Sequence, residues 1–317
     1  MSKVSGFLKK YNTFVIFVVA VVICILISPD FFNVTNIMNI GRQYSGLIIV
    51  CMGLLFVILS GGIDLSVGAL AAMGSVLVST FLSVFGFGVF ESVALTFILI
   101  GLCGLLTGVL VAYARMAPFI ATLAMMTIGR GIAMVVANGS PIPLPKDHET
   151  ISWLSSDLGY IPILVIFAVV VVVFFWFLQK YTTYGRIIMA IGSNETAVRL
   201  AGIRVKLYKT SVYVISSLCC ALGGILLCSR TSIGSPVVGT GMELDAIAAC
   251  VIGGASLSGG EGSPVKTVIG VLILALIGNI MNLLAVPSYP QDIIKGAIII
   301  LSVLLQTLTS SFKKDEG

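Results

Sequence analysis

GLIIVCMGLLFVILSGGIDLSVGALAAMGSVLVSTFLSVF, residues 46–85, contains a single charged side chain, Asp64. On either side of Gly61-Gly62 the run is apolar without alternation, which suits helices rather than barrel strands. Only helices and closed barrels satisfy their own backbone in lipid, and each arm approaches the ~20 residues needed to cross the hydrocarbon. The stretch reads as two membrane helices joined by a glycine break that carries one acid.

The same texture continues along the chain. Of 317 residues, 58% are hydrophobic and 10% charged, with a mean hydropathy of +1.14; soluble domains carry about 25% charged residues. The expected fold class is an all-α polytopic membrane protein forming one transmembrane domain over 1–317. Ten spans fit, near 12–28, 46–60, 65–85, 92–113, 118–137, 161–178, 211–228, 244–256, 267–285 and 292–309. The eighth is short and the second is cut by glycines, so both are candidates for broken helices.

The net charge of +5 is distributed by side. With ten spans, Lys3, Lys9, Lys10, Arg115, the segment from Lys180 to Lys209, Lys313 and Lys314 fall on one face. Asp147, Glu149 and Asp157 fall on the other, with Arg42, Lys146 and Arg230 as exceptions. The positive-inside rule places both termini and the 179–210 segment in the cytoplasm. The basic charge thus reads as a mark of orientation, with no nucleic-acid partner. Lys3, Lys9 and Lys10 followed by the apolar Thr13–Ile27 resemble a secretion signal. Ser28-Pro29-Asp30 is no small-residue cleavage site, however, so a retained first span is expected. The seven cysteines all lie in apolar stretches without metal-ligand spacing, as expected of buried thiols. His148, the single histidine, leaves little material for histidine-based catalysis.

Two glycine motifs match in register as Gly-Gly-x-x-Leu-Ser-x-Gly: Gly61-Gly62-Ile63-Asp64-Leu65-Ser66-Val67-Gly68 and Gly253-Gly254-Ala255-Ser256-Leu257-Ser258-Gly259-Gly260. Each follows one apolar run and opens another. The pattern suggests two related halves, near 40–137 and 211–309, each with a glycine-interrupted helix, as in many transporters. The six-span separation makes the repeat parallel unless a glycine hairpin is re-entrant, in which case it is inverted. The second motif also contains Leu257-Ser258-Gly259-Gly260-Glu261 with Lys266-Thr267, a superficial likeness to nucleotide-binding loops. A phosphate loop needs Gly-Lys-[Ser/Thr] after a glycine turn. Here Val265 precedes Lys266 and Pro264 removes a donor. Tight turning and close helix approach explain the small residues better.

Asp64 has two readings: a helix cap at the membrane surface for a helix starting at Leu65, or a carboxylate bracing the transport path. The 180–209 segment has two readings as well. Asn194 or Ser193 is placed to cap a short helix over about 195–201 that Gly202 ends. Such a helix suits a docking knob, whereas an ordinary basic loop would only hold topology.

Together these residues resemble the membrane-spanning subunits of ribose-type ABC monosaccharide importers. The motifs that carry the resemblance are Gly61 to Gly68, Pro118-Phe119-Ile120-Ala121-Thr122-Leu123 with Arg130-Gly131, Thr183 to Ile203, and Gly253-Gly254 through Gly262-Ser263. They cover about 40–300 in the family's order; Lys266 before Thr267 is a departure. The resemblance implies a permease of the bacterial cytoplasmic (inner) membrane that binds no cofactor itself, ATP and Mg being held by a cytoplasmic ABC ATPase subunit. It also implies an extracytoplasmic sugar-binding protein and a second permease copy or sister permease. It implies, too, a coupling segment over Thr183, Gly185, Arg186, Gly192, Asn194, Glu195, Arg199 and Gly202. Pathway or hinge roles are expected for Gly61, Gly62, Asp64, Ser66, Thr122, Gly253, Gly254, Ser258, Gly259, Gly260 and Asn282, with Thr127 as a further lining residue. A sugar carries no charge, so small and hydroxyl side chains suffice for its path. The rival class is an ion-gradient-driven transporter or channel, which would place ionisable groups mid-membrane; Asp64, Asp245 and Asp292 lie near predicted span ends. A membrane-embedded enzyme lacks an acid–base, metal or nucleophile constellation.

Overall fold

The structure, a computed structural model, describes residues 2–145, 151–287, 290–294, 296–298 and 300. Asp147, His148, Glu149, Lys146, Lys313 and Lys314 lie outside the described residues. The elements in order are α1 Ser2–Ile27, α2 Val34–Leu59, α3 Val67–Ser83, α4 Val89–Ala112, α5 Pro118–Val136, α6 Ile163–Tyr181, α7 Thr183–Leu200, α8 Val205–Thr231, α9 Met242–Ile252 and α10 Pro264–Leu283. Residues 290–294 and 296–298 are also helical. Among the described residues, six helices are long and apolar enough to cross a membrane: α2, α4, α5, α6, α8 and α10. Shorter apolar helices cover Thr13–Ile27 and α3. The protein is a multi-pass helical membrane protein.

α2 and α8 form the buried centre, whereas α4, α5 and α6 turn most of their surface outward. The outward side chains are apolar (Phe90 is 82% and Val135 76% exposed), as lipid requires and water would not. Close packing around α8 is set by small residues, the interface chemistry of membrane helices. Gly53 of α2 faces Ser216 and Cys219, Gly108 of α4 faces Thr210, and Gly74 of α3 faces Ala221. Six of the seven cysteines are buried and all are free thiols.

Several expected boundaries shift for identifiable reasons. α2 begins at Val34, twelve residues before the predicted run, because Asn36 and Arg42 lower its hydropathy but find partners. Asn36 and Asn279 exchange amide hydrogen bonds at 3.0 and 2.7 Å, and Arg42 pairs with Asp157 at 2.6 Å. The latter pair accounts for one basic residue that falls against the charge rule. α2 then continues unbroken through Gly41, Gly46 and Gly53, so its expected interruption lies at Gly61 instead. α9 is only eleven residues long, about 16 Å at 1.5 Å per residue, and is entered by a stretch that opens as a two-residue strand, Ile233–Gly234, and continues as turns. Gly234 of that stretch lies beside Ser79 of α3 and Gly239 beside Gly68, so it descends along α3 before α9 starts. Arg130 of α5 fixes the descent, its Nη1 donating to the carbonyls of Pro236 (2.7 Å) and Val238 (2.9 Å). The eighth predicted span, 244–256, is thus helical as far as Ile252 and then enters the second glycine loop.

Candidate functional site

α2 ends in a tight reversal. The Gly61 amide donates to Ile58 and the Gly62 amide to Val57, at 2.9 and 3.0 Å, with Gly61 at φ +79°, a conformation that favours glycine. Three residues on, Asp64 is 2% exposed. Its Oδ1 accepts from the Ser66 amide (2.9 Å) and the Ser66 hydroxyl (2.6 Å), and its Oδ2 accepts from Ser216 Oγ (2.9 Å). This corrects the capping expectation: α3 starts at Val67 with Ser66 at its cap position, and Asp64 instead ties the glycine loop to α8. The surface reading also falls, since the carboxylate is enclosed. Tyr213, one turn before Ser216 and 1% exposed, sets its hydroxyl against Gly62.

The second glycine loop, between α9 and α10, is folded on itself. The Ser256 amide donates to Glu261 and the Gly259 amide to Ser256, both at 2.9 Å, and Ser258 donates its amide to Ser256 Oγ at 3.3 Å. Gly253 is pressed against Lys266 and Thr267 of α10, and Gly254 turns the chain. The two loops meet directly, the Gly260 amide donating to the Leu59 carbonyl at 3.0 Å. They lie at the same end of the bundle, so the two helix–loop–helix units run in the same direction.

α7 crosses this meeting point. It consists of two helices joined at Asn194 (φ −158°, ψ 89°), whose Oδ1 accepts from the Ala197 amide at 2.9 Å. The expected cap and the short helix after it are therefore present, closed by Gly202 at φ +79°. The preceding helical half, Thr183–Ser193, is an addition to the sequence reading. Thr182 caps it, Gly185 fits where α6 folds back, and Arg186 and Arg199 are exposed. Glu195 is ion-paired with Lys209 at 2.9 Å. The decisive contact is Gly192: a Cβ there would run into the Leu59 carbonyl and the Gly260 amide, and would stand 3.0 Å from the Gly259 carbonyl carbon. A Cβ on Gly259 would likewise fall 2.9 Å from both Gly192 Cα and Gly61 Cα. Gly61, Gly192, Gly259 and Gly260 form one glycine junction, braced by Gln179 Nε2 donating to the Gly262 carbonyl at 2.9 Å.

Other predicted residues are elsewhere. Thr122 is fully buried and donates to Pro118 in its own helix at 2.9 Å, with Ile63 at 3.4 Å, so it packs under the first glycine loop. Asn282 lies at the far end of α10 and accepts from Gln291 at 2.9 Å. Thr127 is exposed. Ser216, Tyr213 and Gln179 escaped sequence reading because none belongs to a motif; their roles follow from pairings across the fold. No cluster of three or more metal-ligating side chains occurs among the described residues.

A family model described as branched-chain amino acid transport system / permease component matches residues 36–303, and the chain belongs to that family. It is 40% identical over 305 residues to the ribose import permease protein RbsC of Escherichia coli (strain K12), covering 95% of this chain and 94% of that one. It is 39% identical over 317 residues to RbsC of Bacillus subtilis (strain 168), covering 97% and 95%. Identity to the D-allose transport system permease protein AlsC of Escherichia coli (strain K12) is 36% over 306 residues, covering 96% and 93%. No solved structure matches it. In class, then, the chain is a ribose-type ABC permease, a transport component rather than an enzyme.

Proposed function

We propose that this chain imports a monosaccharide as the membrane subunit of an ATP-driven transporter. It would pair with a second permease, receive sugar from an extracytoplasmic binding protein, and be driven by a separate cytoplasmic ATPase that holds ATP and Mg. The observation that carries the mechanism is the seating of Gly192 between Leu59 and Gly260. A push on α7 is delivered, without an intervening side chain, to the loops that end α2 and α9. The α7 end is cytoplasmic in this reading, so ten spans and both termini follow from the charge rule. Alternating access is then a rocking of the helices rooted in the two glycine loops.

Arg186 gives the cleanest test of docking, because Glu195 is held by Lys209. Arg186→Glu is expected to lower co-purification of the ATPase at least several-fold while membrane insertion is unchanged. Normal association and uptake in this variant would remove the docking role. An ion-gradient mechanism is the second reading. Sugar uptake by the purified chain alone, in liposomes under a proton or sodium gradient, would establish that reading and displace the proposal.

A further inference from the structure

At the α7 end the α4–α5 loop and the α7–α8 loop enclose a cavity of about 880 Å³. Arg115, Arg199, Arg204, Lys206 and Lys209 line it, against one acid, Glu195. That acid is occupied by Lys209, and Lys206 lies 5.1 Å over the ring of Tyr113. Arg115, Arg199 and Arg204 are exposed and form no ion pair among the described residues. The cavity therefore holds a surplus of positive charge in a concave site, which the charge rule does not require: orientation needs cations on one side, not gathered in a hollow.

A second groove, of about 370 Å³, lies along the same pair of helices. Its walls are Phe97, Ile98, Leu102 and Leu105 of α4 with Val214 and Leu218 of α8, and Gly101 leaves room at its floor. α4 runs toward the basic cavity and α8 runs away from it, so Val214 and Leu218 stand about 7 and 14 Å beyond Lys209 at 1.5 Å per residue. Leu207 and Met116 at the cavity rim, Leu105 in the groove wall, and Val109 between the two hollows are exposed. A basic hollow continued by an apolar groove at membrane depth matches a molecule with an anionic head and a hydrocarbon tail. We propose that the α4–α8 seam binds an anionic phospholipid, with its phosphate among Arg115, Arg204 and Lys206 and an acyl chain along Leu102 and Leu105. The acidic surface of a partner protein would use the charges but leave the groove idle. A bound lipid also bridges the α4–α5 loop, through Arg115, and the α7–α8 connection, through Arg204 and Lys206.

The test is thermal unfolding of the purified full-length chain in neutral detergent. Additions are dioleoyl-phosphatidylglycerol, dioleoyl-phosphatidylcholine or soluble glycerol 3-phosphate. Phosphatidylglycerol is expected to raise the midpoint while the other two do not. In the Arg115→Gln/Arg204→Gln/Lys206→Gln variant, the concentration needed for half the shift rises at least about tenfold. Leu105→Trp, which fills the groove and leaves the charges, weakens the same response independently. An equal response to phosphatidylcholine, or a phosphatidylglycerol response unchanged in both variants, overturns the proposal. An equal shift from glycerol 3-phosphate makes the cavity a small-anion site instead. If the triple variant keeps its lipid response but loses the ATPase, the cavity is a protein-docking surface and the lipid assignment is wrong.

Discussion

Gly192→Ala is expected to lower sugar uptake at least about tenfold while leaving the protein in the membrane at its usual level. The added methyl collides with the Leu59 carbonyl and the Gly260 amide, both backbone, so no flexible side chain can move aside. Relief requires separating the two glycine loops and breaking the 3.0 Å Gly260–Leu59 bond. Overpacking costs about 1–3 kcal/mol and a lost hydrogen bond about 1 kcal/mol. Because about 1.4 kcal/mol is already tenfold in a rate, uptake should fall at least about tenfold. Gly131→Ala is the matched control, since nothing lies within 4 Å of its new methyl. Uptake assays paired with immunoblots of membrane fractions make the comparison; wild-type uptake by Gly192→Ala would dissolve the junction as a transmitting element.

Asp64 should divide geometry from charge. Asp64→Ala strips the acceptor from the Ser66 amide, the Ser66 hydroxyl and Ser216 Oγ, all enclosed with it. Each buried group left unsatisfied costs about 1–3 kcal/mol, so this variant should give several-fold less monodisperse protein after detergent extraction. Asp64→Asn keeps one carbonyl oxygen for Ser66 and presents an amide toward Ser216, whose hydroxyl can turn to accept. It is expected to fold and to transport within about threefold of wild type, because the partners are hydroxyls and an amide rather than cations. A well-folded but inactive Asp64→Asn protein would show that the negative charge itself takes part in transport.

The two variants probe features that differed in legibility. Gly61, Gly259 and Gly260 stand out in the sequence because small residues punctuate apolar runs. Their meeting with Gly192, more than 130 residues from Gly61 and about 67 from Gly259, does not, since Gly192 sits in a polar segment with no periodic partner. Asn194 was readable as a cap because capping is local: the side chain bonds an amide three residues on. Of the two readings open for Asp64, the local cap fails because one of its oxygens is committed to Ser216, in α8. The early start of α2 was missed for the same reason, its polar residues being satisfied by Asn279 and Asp157 far along the chain.

What the sequence determined alone was what depends on solvent and on neighbours within one turn. Apolar runs must become helices in lipid, glycines end them, and Ser193 or Asn194 opens a new one; the family motifs follow the same order. What only the tertiary structure decided was which ends meet. The glycine junction, the Asp64–Ser216 tie and the basic cavity each join segments from different helices. Such contacts depend on how the helices pack around α8, and no local periodicity records that.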